Sequence, residues 1–171
     1  MLLDGEQFGR YLTGYEQSAW RFETQPTYTM PNEQENLRRW RTGEPKPEEH
    51  NSAWHETVRS LVAAGKTIGR VRTVRQPLTE YQRFQLDWAV PGNIVAGEDI
   101  RILDLTELDL ELPSQDFWLF DESTVVDLNF RSDGTLINVD KIEHPDLDKY
   151  LNWRDTALAH AQRFSEWNAR T

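Results

Sequence analysis

Apolar residues recur at helical spacing in the first part of the chain and alternate with polar ones in much of the rest. Phe8, Tyr11, Leu12 and Tyr15 fall on one helical face after Asp4, a residue type that commonly caps helices. The chain is therefore predicted to begin with a short amphipathic helix.

Residues 19–30 show a different pattern, in which aromatic and charged side chains alternate. This predicts a strand or an extended arm before Pro31, although the sequence does not indicate its partner. Asn32 and Glu35 then have the spacing of a capping box, which predicts a brief helix that ends near Gly43.

A further helix is indicated by Trp54, Val58 and Leu61 and is closed by Gly65. We therefore expect residues 1–65 to form a mostly helical N-terminal section that packs on the core. Residues 66–171 are expected to form an α/β core with a long C-terminal helix, and both parts belong to one structural domain.

The middle of the chain reads as a strand, a helix and a second strand. Residues 67–75 are rich in β-branched side chains, and Thr79 with Gln82 predicts a capped helix that Pro91 and Gly92 interrupt. Residues 98–105 supply the next strand. This order is typical of a parallel β-α-β unit.

Three more strands are predicted at residues 116–121, 123–130 and 135–142, joined as an antiparallel meander. A long helix opened by Pro145 closes the chain. The predicted fold class is α/β, with α+β as the alternative, and its mixed sheet is flanked by helices.

Composition narrows the possible functions. The chain has 29 acidic and 19 basic residues and a formal net charge of −10, which disfavours direct binding to DNA or RNA. It has no cysteine, so disulfides and thiolate chemistry are excluded. No membrane-spanning run or signal-peptide pattern is evident, and we expect a cytoplasmic protein.

No recognisable catalytic or metal-binding pattern accompanies this fold. His50 and His55 are five residues apart, whereas a zinc-binding pair on a helix is four apart. The phosphate-loop, dinucleotide-binding and nucleophile-elbow motifs are also missing. We expect no catalytic residues, no metal and no cofactor.

Charged and aromatic residues on or beside the predicted strands form the candidate binding site. They are Arg70, Arg72, Tyr81, Arg83, Glu98, Asp99, Arg101, Asp116, Trp118 and Asp121. Arg70 and Arg72 share one strand face, so they either bind an anionic group or are neutralised by Asp99 and Asp116 within the fold. Trp118 either packs in the core or lines a crevice.

Two surface segments carry alternative interpretations. Residues 107–112 alternate acidic side chains with leucines, which fits a charged edge strand or a docking surface for a basic partner. Arg38, Arg39, Trp40 and Arg41 form the densest basic cluster, and direct nucleic-acid contact there is a third hypothesis.

Four segments carry a resemblance to a known family: residues 70–75, 77–81, 96–101 and 116–121. Through them the chain resembles an actinobacterial family numbered 6879 among domains of unknown function, over nearly its whole length. The resemblance implies a regulatory or toxin–antitoxin-like setting, in which members are encoded beside helix-turn-helix regulators and small companion proteins, and it defines no activity.

The order of elements in the second part also resembles half of a phospholipase D-like domain. That family requires a His-x-Lys motif, and no histidine in this chain is followed two residues later by lysine. The resemblance therefore implies the topology without the chemistry.

Two functional hypotheses follow. In the first, the chain is a non-catalytic regulatory or protein-interaction module that acts with a helix-turn-helix transcriptional regulator, without direct nucleic-acid or membrane binding. In the second, it is a sensor or enzyme for a phosphate-bearing or other anionic ligand, held by Arg70, Arg72, Tyr81, Arg83 and Arg101. The sequence does not indicate the oligomeric state.

Overall fold

A computed structural model describes residues 1–168 and contains one mixed sheet of eight strands with helices packed on its faces. The strands are β1 (Leu2–Leu3), β2 (Ser18–Glu23), β3 (Thr67–Val74), β4 (Asp99–Asp104), β5 (Asp116–Phe120), β6 (Thr124–Phe130), β7 (Leu136–Lys141) and β8 (Gln162–Arg163). The helices are α1 (Gly5–Gly14), α2 (Gln34–Arg41), α3 (Ser52–Ala63), α4 (Glu80–Phe84), α5 (Val90–Ala96), α6 (Leu147–His160) and α7 (Phe164–Asn168). The predicted α/β class is confirmed.

The strand order is β1-β7-β6-β5-β2-β3-β4-β8. β3 and β4 are parallel, as the strand-helix-strand pattern predicts, and β5, β6 and β7 form the predicted antiparallel meander. β2 joins the two halves, since it runs parallel to β3 and antiparallel to β5. The phospholipase D-like topology stays a prediction.

The N-terminal section contributes more than helices. The segment predicted as a strand or an extended arm is β2, which lies in the middle of the sheet and has a partner on each side. Residues 1–65 therefore share the central sheet with the rest of the chain.

Two of the three predicted helix N-caps are confirmed and the third is wrong. The capping box of Asp4 on α1 is present, as is that of Thr79 and Gln82 on α4. The box predicted for Asn32 and Glu35 is wrong, because Pro31–Glu33 forms a 3₁₀ turn and α2 begins without a side-chain cap.

The predicted interruption at Pro91 and Gly92 is also wrong. Helical structure continues from α4 through a π-helical turn at Gln85–Ala89 into α5. Pro91 lies in the first turn of α5, where proline fits the helical backbone well. The helix therefore changes type before Pro91 and does not end at Pro91 or Gly92.

Two further predictions need correction. Residues 107–112 form no strand: Leu110 and Leu112 pack against the apolar cluster under the sheet, which explains their alternation with acidic residues. The closing helix α6 ends at His160, and the chain then forms β8 against β4 and the short helix α7.

The core lies on both faces of the sheet. On one face, Phe22, Val71, Leu103 and Phe117 pack under α6. On the other, α1 and α3 cover a second cluster that includes Trp118. β5 is buried along its whole length, which confirms it as a central strand. Within residues 1–168, no helix has the length and apolar character needed to cross a membrane.

Candidate functional site

Three arginines and a glutamate occupy adjacent positions on β2 and β3. Arg21 lies opposite Arg70 in the parallel register, and Glu23 lies opposite Arg72. Because side chains alternate along a strand, all four project from the same face of the sheet. The two strands therefore build a cluster of charges in the middle of the fold.

Glu23 is the centre of this cluster and is only 2% exposed. Its carboxylate oxygens lie 2.7 Å from Arg70 Nη1, 2.6 Å from Arg72 Nη2 and 3.2 Å from Arg21 Nε. Burial alone raises the pKa of a carboxyl group, but the three guanidiniums outweigh it and lower the pKa of Glu23 to about 2. Glu23 is therefore a carboxylate at neutral pH.

A second carboxylate, Glu98, completes the pairing of Arg70. Glu98 accepts a hydrogen bond from Arg70 Nε at 2.5 Å and one from Trp54 Nε1 at 3.0 Å. Arg70 thus has two carboxylate partners. Although burial opposes its charge, these two carboxylates raise the pKa of Arg70 above its usual range.

A third carboxylate, Asp116, lies at the start of β5 beside Arg21. Asp116 is fully buried and accepts hydrogen bonds from the Tyr28 hydroxyl at 2.6 Å and the Thr24 amide at 2.8 Å. Arg21 Nη2 lies 3.7 Å from this carboxylate. Asp116 therefore fixes the loop after β2 and helps to neutralise Arg21.

Arg72 differs from Arg70 in its pairing. It is only 4% exposed, yet its Nε and Nη1 atoms have no hydrogen-bond partner among residues 1–168. Its remaining nitrogen contacts Glu23, and its guanidinium lies 5.5 Å from the ring centre of Tyr28. A buried donor without a partner costs roughly 1–3 kcal/mol, so the two free nitrogens of Arg72 favour the binding of a further acceptor group.

A cavity of about 500 Å³ lies directly over this cluster. Arg21, Glu23, Arg70 and Arg72 line it on the side of the sheet. Its volume falls within the range of roughly 300–1,000 Å³ that is typical of small-molecule sites.

One wall of the cavity is polar and comes from the loop before α2 and from helix α4. Tyr81 donates a hydrogen bond to Glu33 at 2.5 Å, and Gln85 Nε2 donates to the Tyr81 hydroxyl at 2.9 Å. Burial and the Glu33 carboxylate raise the pKa of Tyr81 well above its usual range. Gln85 begins the π-helical turn, a local structure that often marks functional sites.

A second part of the lining is largely apolar. It comes from β1, α1 and the strands β6 and β7, and its apolar members are Leu3, Phe8, Leu128, Phe130, Leu136, Ile137 and Val139. Leu136 and Ile137 are 37% and 54% exposed at its rim. The cavity thus combines charged groups on the sheet with hydrogen-bonding groups and an apolar surface.

Comparison with known families agrees with the resemblance seen in the sequence. The model of a domain of unknown function, DUF6879, matches residues 6–169. The chain belongs to the DUF6879 family. No curated protein gives a significant match.

Five of the predicted site residues lie in or behind the cavity of this DUF6879 domain. Arg70, Arg72 and Tyr81 line it, while Glu98 and Asp116 pair with the arginines from behind. Asp99 and Asp116 were predicted to neutralise Arg70 and Arg72, and this prediction is wrong. Glu23 pairs with both arginines, and Glu98 pairs with Arg70.

The other five predicted residues of the DUF6879 domain lie elsewhere. Arg101 pairs with Asp99 at the surface, and Arg83 is exposed. Trp118 packs in the core, 5.8 Å from the Arg21 guanidinium. Asp121 accepts hydrogen bonds from the backbone amides of residues 16–18 and so holds the turn into β2. Their roles in the described structure are structural contacts.

Five residues at the cavity were not predicted from the sequence: Arg21, Glu23, Tyr28, Glu33 and Gln85. The alternation of Arg21 and Glu23 within a strand pattern was a usable signal, but the partner of that strand was unknown. Because the sequence does not show that β2 pairs with β3, it does not indicate that Glu23 lies beside Arg72.

The basic cluster on α2 of the DUF6879 domain is paired internally. Arg38 contacts Glu35 and Glu44, and Arg39 also contacts Glu44. Arg41 contacts Glu80. These contacts neutralise the surface on which the nucleic-acid hypothesis depended.

No group of three or more His, Asp or Glu side chains within residues 1–168 is placed to hold a metal ion. The groups that line the cavity offer hydrogen bonds, charge and apolar contact.

Proposed function

We propose that this DUF6879 domain is a non-catalytic regulatory module that binds a small ligand in the cavity over β2 and β3. The observation that supports it is Arg72, a buried guanidinium with two unpartnered nitrogens at a cavity of about 500 Å³. A ligand that carries an acceptor such as a carboxylate or carbonyl satisfies these donors. The binding of such a group recovers the cost of leaving them unpaired.

Ligand binding is favoured over catalysis by the state of the ionisable groups. A general acid or base works best when its pKa is near the working pH. The pKa of Glu23 is about 2, and the pKa of Tyr81 is raised well above its usual range. Arg72 stays charged, since Glu23 raises its pKa despite the opposing effect of burial. These three groups are suited to holding a ligand and poorly suited to moving protons.

A thermal-shift screen of the purified protein against a library of small metabolites tests this proposal. We expect at least one compound that carries an acceptor group to raise the Tm of the native protein and not that of Arg72→Met. The matched control is Arg101→Met, which removes a guanidinium away from the cavity and should respond like the native protein. Equal shifts in all three proteins, or no shift with any compound, would contradict the proposal.

A protein partner is the second part of the proposed function, and the natural candidate is a helix-turn-helix regulator. The net charge of −10 favours a basic partner, and the exposed Leu136 and Ile137 place an apolar surface at the rim of the cavity. A ligand at this rim would change the surface that the partner meets.

Co-purification with a helix-turn-helix protein encoded nearby tests this second part. We expect association at low ionic strength that weakens as salt is added. Ile137→Asp should weaken the complex, while Val95→Asp, at an exposed apolar position on α5, should not. Failure to associate even at low ionic strength would count against a regulator as the partner.

A further inference from the structure

The charges around the cavity are not balanced. Three guanidiniums face five carboxylates, of which some line the cavity and some lie behind it. The guanidiniums belong to Arg21, Arg70 and Arg72, and the carboxylates to Asp4, Glu23, Glu33, Glu98 and Asp116. The buried carboxylates of Glu23, Glu98 and Asp116 already equal the three guanidiniums in number, and the half-buried Glu33 and the exposed Asp4 add negative charge at the cavity.

This excess disfavours a phosphate-bearing ligand. A phosphate group brings up to two further negative charges into a site where buried carboxylates already compensate the arginines, and uncompensated buried charge is costly. A ligand that carries a positive charge beside its acceptor group avoids this cost, because its net charge is zero.

We infer that the cavity binds a zwitterion of the α-amino-acid class with an apolar side chain, an inference that rests on the proposed function. The carboxylate of the ligand would accept a hydrogen bond from Nε or from Nη1 of Arg72, which lie on opposite edges of the guanidinium. Its ammonium group would lie at the acidic wall, and its side chain would lie against the apolar wall formed by β1, α1 and β7.

Glu33 is the group placed to receive the ammonium. It is half-buried at the cavity and accepts hydrogen bonds from Tyr81 and Gln85. A carboxylate has about four lone-pair sites, so Glu33 keeps capacity for another donor. Tyr81 connects the two ends of the site, because its hydroxyl bonds to Glu33 and its ring is 5.9 Å from the ring of Tyr28, which lies beside Arg72.

The apolar wall determines the kind of side chain. Leu3, Phe8 and Val139 form its deeper part, and Leu136 and Ile137 form its exposed rim. A branched aliphatic side chain buries apolar area on both, which favours binding in proportion to the area removed from water. A purely polar amino acid gains nothing from this surface.

NMR titration with four probes tests whether the cavity prefers a zwitterion over an anion or a cation. The probes are L-leucine, 4-methylpentanoate, 3-methylbutylamine and inorganic phosphate. The second probe is leucine without its amine, and the third is leucine without its carboxylate. The Nε–H resonance of Arg72, assigned by its loss in Arg72→Met, reports contact directly. We expect leucine to shift this resonance and to bind at least tenfold more tightly than any of the other three probes.

A second variant keeps the test informative if Arg72→Met folds poorly. Glu33→Gln should lower the affinity for leucine at least tenfold and leave any weak binding of 4-methylpentanoate unchanged. Glu107→Gln, at an exposed position outside the cavity, should change neither.

The outcomes separate this inference from the proposed function. If phosphate or 4-methylpentanoate binds as tightly as leucine, the zwitterion inference is overturned and the ligand-binding function stands. If no probe shifts the Arg72 resonance, the inference is also overturned, and the metabolite screen then decides the proposed function independently.

Discussion

The two faces of β2 and β3 can be compared residue by residue, because neighbouring positions on one strand point in opposite directions. Phe22 lies between Arg21 and Glu23, and Val71 lies between Arg70 and Arg72. Phe22 and Val71 enter an apolar cluster under α6, while the four charged side chains face the cavity. The same segments therefore build the core and the candidate site.

The faces differ in how much they depend on a specific arrangement. Apolar burial is non-directional, so the face under α6 contributes stability in proportion to the area that it removes from water. The charged face repays its desolvation only where each group finds a partner of suitable geometry. Arg70 has such partners and Arg72 has them only in part. On the charged face, Arg72 therefore keeps binding capacity that the fold does not use.

The largest effect is expected from the apolar face. Phe117 is fully buried, and its ring centre lies 5.7 Å from that of Phe22 and 4.9 Å from that of Tyr150. Phe117→Ala should lower the free energy of unfolding by about 4 kcal/mol, measured by urea denaturation at pH 7. The control Leu108→Ala, at a side chain that is 41% exposed, should cost less than about 0.5 kcal/mol. A loss below about 1 kcal/mol for Phe117→Ala would mean that this face is not tightly packed.

The next effect concerns the centre of the charged face. Glu23→Gln should cost roughly 3 kcal/mol at pH 7, because the pKa of Glu23 is lowered from 4.5 to about 2 in the folded protein. This stabilisation is present above pH 4.5 and is lost as the pH falls toward 2. The difference in unfolding free energy between the native protein and Glu23→Gln should therefore shrink over that interval. A difference that stays constant with pH contradicts the role assigned to the charge, and Glu107→Gln serves as the exposed control.

The smallest expected effect is the difference in stability between variants of two arginines on the same face of one strand. Arg70→Met leaves Glu98 without its arginine partner and should destabilise the protein by about 3 kcal/mol. Arg72→Met leaves Glu23 paired with Arg70 and Arg21 and should cost only about 1 kcal/mol. Thermal and urea denaturation of the two variants measure the difference. Equal losses would mean that Arg72 is as fully used by the fold as Arg70.

Local patterns in the sequence predicted most of the elements in this fold. The parallel unit of β3 and β4, the meander of β5 to β7 and the capping box at Thr79 depend on residues close together in the chain. The errors arose where local and distant contacts compete. Residues 107–112 alternate as an edge strand would, but Leu110 and Leu112 are held by the apolar cluster instead.

The sequence by itself determined the α/β class, the alternation that gives β3 a charged face and the presence of Arg70, Arg72 and Tyr81 in the site. Only the tertiary structure decided that β2 pairs with β3, which brings Glu23 from 49 positions earlier beside Arg72. It also decided that Arg70 is paired and Arg72 only partly so. The physical reason is that the alternation of side chains along a strand determines the face on which each one lies. The partner of a side chain depends instead on contacts between segments that are far apart in the chain.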